Sequence, residues 1–164
     1  MPKIFNKDSV EYQINQKRCA DFSWMSAGNL AKLVNAKHLN FSIRCLNSDK
    51  FSYPYHYHHN AEEMFVILSG KAQLRTTTGI TEISQGDIVF FEMGETSAHQ
   101  LYNHSDESCV FLDICTNMGF DLCEYPDSGK MANLSTKQVL QNGKEVDYFK
   151  DEDKVREIWS NLKS

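Results

Sequence analysis

The sequence predicts an all-β fold, an antiparallel sandwich or barrel. Three observations point there: short apolar runs with period-two alternation, turn-forming residues recurring roughly every eight to twelve positions, and no helical periodicity between Leu39 and Cys115.

Residues 1–37 lack this regularity and are expected to form an arm packed on the main body, with a helical turn near Asn29–Val34. From His38 the pattern changes. Leu39, Phe41, Ile43 and Cys45 alternate with Asn40, Ser42, Arg44 and Leu46, as in a half-buried strand. Asn60 and Ala61 give the chain room to turn, and Glu63 opens the run Met64–Leu68, a buried strand ended by Ser69 and Gly70. Lys71–Thr77 and Ile80–Ser84 are expected to form a hairpin about Thr78-Gly79. Gln85-Gly86-Asp87 turns the chain into Ile88–Phe91, and Met93–Ser97 loops around Gly94. Ala98–Tyr102 is extended again, Asn103–Ser108 is a polar turn, and Cys109–Cys115 is the last strong strand. Further on, Cys123–Lys130 gathers proline, aspartate, serine and glycine into an ordered turn. At the end, Asp151 stands where an N-cap would, followed by Glu152 and Asp153, and Val155, Ile158, Trp159 and Leu162 make the apolar stripe of a surface helix.

Composition narrows the function classes. A chain of 164 residues with 41% hydrophobic and 12% aromatic content can bury a substantial core. A formal charge of -5 without a long basic run excludes the electrostatic footprint of a nucleic-acid or anionic-membrane binder. The longest unbroken apolar stretch, Met64–Leu68, is too short to cross a bilayer, and the amino terminus has no apolar leader, so a cytoplasmic protein is expected. Five cysteines without a C-x-x-C pair are expected to be reduced.

The chemistry concentrates in Tyr53–Gly70. In an extended backbone His56 and His58 point to one face and His59 to the other, and Glu63 brings a carboxylate beside the pair. Imidazole and carboxylate are suited to divalent Zn, Mn, Fe or Ni. A second segment runs from Gly86 through Gly94 to His99, with Asn103 four residues later, which makes His99 the fourth ligand candidate. Asp113 interrupts an apolar strand, where an unpaired carboxylate is costly to bury, so it is either edge-exposed or near the site. Arg44 could face the interior and hold an anionic substrate, or be solvated. His38 carries no signature, His104 in its polar turn is expected to be solvated, and the outward parity of His59 suits a structural role or one behind the ligands.

Taken together, the two segments resemble the paired motifs of the cupin superfamily. His56, His58, Glu63 and Gly70 match the first motif, and Gly86, Gly94, His99 and Asn103 the second. The chain departs from the pattern where Glu92 replaces the usual proline, where four residues instead of two separate Gly94 from His99, and where Lys50 replaces a glycine. Glu62 is the rival of Glu63, and the six-residue spacing to Gly70 favours Glu63. The resemblance implies a double-stranded β-helix, the cupin jelly-roll barrel. With the EYPDSGK loop at Glu124–Lys130, the whole chain is similar to small single-domain bacterial cupins. One domain over 1–164 is then expected, with the barrel core at about 39–116, an N-terminal arm at 1–37, and a loop and short C-terminal helix at 124–164. The resemblance also implies one divalent metal ion per chain (Fe, Mn, Ni or Zn) on His56, His58, Glu63 and His99.

Two functions follow from such a site. One is a metal-dependent enzyme acting on a small organic molecule of the sugar, keto acid or diol class, as an oxygenase, isomerase or lyase. The other is a non-catalytic binding or sensing module whose metal anchors the small-molecule ligand. A homodimer is expected because Glu63–Leu68 is apolar on both faces, Met64, Val66 and Leu68 against Phe65 and Ile67, and a barrel wall needs only one.

Overall fold

A computed structural model describes residues 1–16 and 19–163. In chain order the strands are β1 (Gln13–Gln16), β2 (Ser23–Ser26), β3 (Leu39–Leu46), β4 (Lys50–Phe51), β5 (Tyr57–His58), β6 (Glu63–Ser69), β7 (Lys71–Thr76), β8 (Gly79–Ser84), β9 (Ile88–Phe91), β10 (Gln100–Asn103), β11 (Cys109–Thr116), β12 (Leu122–Tyr125), β13 (Lys130–Asn133), β14 (Gln138–Gln141) and β15 (Lys144–Glu145). The helices are α1 (Leu30–Leu33) and α2 (Val155–Leu162). The strands form three antiparallel sheets, ordered β1-β2-β3-β11-β6-β9, β4-β10-β7-β8 and β15-β14-β13-β12-β5. Among the described residues, no helix is long and apolar enough to cross a membrane.

The first two sheets close on one core. Alternation in β6 sends Phe65 and Ile67 inward, where they meet Phe111 of β11 and, from the second sheet, Leu74 and Leu101. Each such side chain contributes about 1.5–3 kcal/mol by leaving water, so this interior holds the barrel shut. Strand β6 ends at Gly70, whose φ of +74 and near contact with the Ser108 carbonyl oxygen leave no room for a Cβ. Helix α2 covers one end: Val155 and Trp159 are buried in the same core, and the Trp159 indole N–H donates to Gln100 Oε1 at 2.6 Å.

Several expectations need correction. The hairpin loop is Thr77-Thr78, because Thr76 pairs with Gly79 across it. The Thr78 N–H donates to Thr76 Oγ1, and Gly79 opens β8 at φ +131 rather than sitting in the turn. Asp151 is not the cap of α2, which begins at Val155 after Lys154. It lies in the left-handed region at φ +61 and accepts from Gln141 Nε2. Strands β1 and β2 come from the expected arm, and β12–β15 from the expected loop. The apolar signal of β12–β15 is weak, since the small hydrophobic core of this third sheet is built from Cys123, Tyr125, Ala132 and Val139, with Val146 and Tyr148 packed against them. Strand β3 is covered on one face, where Ile43 lies beneath Leu30 of α1, while on the other Ser42 and Arg44 line a cavity that opens to solvent.

Candidate metal centre

Three elements bring the candidate ligands together. His58 lies on β5, Glu63 opens β6, and His56 and His99 form an isolated antiparallel bridge in which each backbone N–H donates to the other's carbonyl. All four side chains are buried. The donor atoms of His56, Glu63 and His99 lie within 4.8 Å of one another. Glu63 Oε2 is 3.0 Å from His99 Nε2 and 3.6 Å from His58 Nε2. Ligands about 2.1 Å from a shared ion and at right angles stand about 3 Å apart, so these separations suit neighbouring coordination positions.

Hydrogen bonds outside the cluster decide which ring nitrogens face it. His56 Nδ1 donates to the Pro54 carbonyl at 2.9 Å, and His99 Nδ1 to the Ser97 carbonyl at 3.0 Å. His58 Nδ1 donates to Asp121 Oδ2 at 2.5 Å. Each Nδ1 therefore carries the proton and each Nε2 is left facing the others, an arrangement common to metal-binding histidines. Phe91 stacks on His99 with ring centroids 3.7 Å apart and fixes that ring. Glu63 Oε2 and His99 Nε2 are buried without a hydrogen-bond partner, a costly state that a shared cation would relieve. The donor set therefore fits a divalent ion.

Burial alone would raise Glu63, but the imidazoles of His58 and His99 hold it well below the ordinary carboxylate range. Burial, with His99 and His58 nearby, pushes His56 down to about 3, so its ring is neutral. Burial opposes a charge on His58, yet the hydrogen bond to Asp121 and the nearby Cys123 and Glu63 raise it above its ordinary value. Beside these residues is a cavity of about 440 Å³ lined by His58, Glu63, Arg44 and Asp113, among others. Burial pushes Asp113 up to about 6, with Arg44 opposing and Glu63 assisting.

Residues 43–115 match the family of the cupin domain. Over those residues the chain carries a cupin domain. Among solved structures, this cupin is similar to a proposed sugar phosphate isomerase from Acidithiobacillus ferrooxidans at 27% identity, with 79% of this chain and 78% of that one covered and a TM-score of 0.63. It is similar in fold to a sugar phosphate isomerase from Silicibacter pomeroyi (22% identity, 85% and 90% covered, TM-score 0.72). The same holds for the polyketide cyclase RemF from Streptomyces resistomycificus (14% identity, 99% of each chain covered, TM-score 0.64). No functionally curated protein matches the chain significantly.

The remaining sequence candidates separate cleanly within the cupin. Glu62 is exposed, whereas Glu63 points inward. His59 faces away, 2.8 Å from Glu124, and His104 pairs with Glu82. The extra residues between Gly94 and His99 form a 3-10 turn, Glu95–Ser97, whose last carbonyl accepts from His99 Nδ1. Asn103 is structural: its side-chain N–H groups donate to the Leu46 and Glu107 carbonyls. Asp113 is buried on the central strand β11 and bonded to Arg44, so it is near the site and not edge-exposed. Sequence reasoning missed Asp121 and Cys123. Cys123 Sγ is 3.2 Å from His58 Nδ1, and with His56 and His58 it forms a second close donor group. No spacing rule singles them out, because both lie beyond the two motifs.

Proposed function

We propose that this cupin is a metal-dependent enzyme acting on a small hydroxylated carbonyl compound, with sugar isomerisation as the reaction the site supports best. His56, His58, Glu63 and His99 would hold the ion. The carrying observation is the buried, unpartnered pair of Glu63 Oε2 and His99 Nε2 beside a cavity that also contains a protonatable carboxyl group. A divalent ion held there supplies Lewis-acid polarisation of a substrate oxygen.

The protein's own groups supply the rest. Isomerisation of a hydroxy-carbonyl compound removes a proton from one carbon and returns it to the neighbouring one, while the hydroxyl proton passes to the former carbonyl oxygen. Asp113, pushed up to about 6, suits that exchange near neutral pH, because an acid–base group works best when its pKa is close to the operating pH. Glu63, held as the anion, and His56, held neutral, keep their lone pairs available. The proposed sugar phosphate isomerase at 27% identity supports this reading.

The test is to strip the protein, reload it separately with Fe(II), Mn(II), Ni(II) and Zn(II), measure metal content, and assay aldose–ketose pairs, keto acids and 1,2-diols while following oxygen. Conversion of an aldose–ketose pair is expected, with loss of metal in a His58→Ala/His99→Ala variant. Unchanged metal content in that variant would sink the metal assignment. Tight ligand binding without conversion under every metal would make the domain a binding module.

A further inference from the structure

We propose that Arg44 is an anion-binding residue of the cavity, so that the substrate is a hydroxylated small molecule bearing a carboxylate or phosphate group. The inference rests on the reading above that the cavity is where substrate binds.

Arg44 reaches the cavity from β3, and Nε donates sideways to Asp113 Oδ2 at 2.5 Å. That bond engages one edge of the guanidinium and fixes its plane. The other edge, formed by Nη1 and Nη2, donates to no described residue. The other described arginines differ. Arg75 places both terminal nitrogens on Asp127 at 2.6 and 2.8 Å, and Arg156 divides its nitrogens between Asp21 and Asp49. Those two are structural clamps, whereas Arg44 is an oriented fork with its outer edge unused. Two parallel N–H groups in a fixed plane match the oxygen spacing of a carboxylate or phosphate.

The surroundings fit the same kind of ligand. Tyr53 packs its ring 5.3 Å from the Arg44 guanidinium carbon and has a buried hydroxyl without a partner. The cavity is also lined by the amide side chains of Gln13, Asn29 and Asn40. The Asn29 Oδ1 is occupied in capping α1, which leaves its NH2 group able to donate. Amides of this kind recognise hydroxyl groups. About 440 Å³ lies within the range of small-molecule sites, roughly 300–1,000 Å³.

The experiment uses the full chain loaded with Mn(II) and three probes in isothermal titration: glucose, gluconate and glucose 6-phosphate. At least one anion should bind about tenfold more tightly than glucose, because a site built to hydrogen-bond a group discriminates against ligands lacking it. The relative affinities of gluconate and glucose 6-phosphate separate carboxylate from phosphate. In Arg44→Gln that preference should fall to within about threefold, with metal content unchanged. Since Arg44→Gln leaves Asp113 without its cation, an Arg44→Gln/Asp113→Asn variant is run beside it, keeping a neutral hydrogen-bonded pair, and it should lose the preference too. The proposal is overturned if neither anion binds more tightly than glucose, or if the preference survives in the folded double variant. Failure of the wild-type protein to retain metal would instead count against the metal assignment, while the anion preference remains readable.

Discussion

His58 and Asp121 are 63 residues apart in sequence and 2.5 Å apart in space, with His58 Nδ1 donating to Asp121 Oδ2. Asp121 also accepts the Asn60 backbone N–H at 2.9 Å, so one carboxylate ties the ring to the turn that precedes Glu63. Removing a group that orients a metal-binding histidine costs about 10–100-fold in metal affinity. Asp121→Ala should show a loss of that size in competition titration against a chelating dye, and unchanged affinity would refute the orienting role.

His56 gives a pH dependence whose sign can be worked out. Its ordinary value is 6.5 and the folded value is about 3, so between these the unfolded chain binds more protons. The His56 contribution to stability is whole above about pH 6.5 and is lost as pH falls toward 3. His58 is raised, so its contribution changes above 6.5 and not in this window. Asp113, raised to about 6, acts with the opposite sign below that pH. Urea unfolding of metal-free protein from pH 7 to 4 should therefore show a shallower fall for His56→Gln than for wild type. Parallel curves would contradict the assignment.

Lys130 anchors the C-terminal segment. Its ammonium group is fully buried, 2.7 Å from Glu152 Oε1, and donates to the Tyr148 and Lys150 carbonyls at 2.6 and 2.7 Å. Lys130→Ala would take the cation from the buried Glu152 carboxylate, which keeps the Ser128 hydroxyl, and one donor from each of two carbonyls. A loss of about 3–5 kcal/mol in urea unfolding is expected.

The outer face of β6 and β9 carries the prediction of a homodimer. Met64 and Val66 pair with Phe90 and Ile88, and those two side chains are 55% and 66% exposed. Phe5 and Leu30 lie farther along the face, by Phe41, Ile43 and Leu112. Large apolar side chains left this exposed are the usual material of an association surface. Light scattering should report a dimer at micromolar concentration and a monomer for Phe90→Glu; a monomeric wild-type protein would count against it.

The barrel was legible because its central strands are strongly apolar: Glu63–Leu68 and Cys109–Cys115 stood out as runs and became neighbours in one sheet. The same-face placement of His56 and His58 followed from backbone parity, and the inward turn of Glu63 over Glu62 from the motif spacing. Three kinds of feature were not legible. The third sheet was hidden because its strands alternate small or polar residues around few buried side chains. The direction of β3 was left between two alternatives for Arg44 because its polar set, Ser42 and Arg44, faces a cavity where apolar residues are the usual occupants. Asp121 was hidden because only three-dimensional closure brings a loop carboxylate to a histidine so distant in sequence.

Strand β5 has only two residues, and its ladder partner is β12, with His58 opposite Cys123 and Tyr57 opposite Glu124. The backbone that carries one candidate ligand is thus held by chain made more than sixty residues later. During synthesis, His56, Glu63 and His99 can be assembled by the barrel strands alone, while His58 waits for the segment that reaches Glu124. The full set of four candidate ligands is therefore in place only once that later segment has been made.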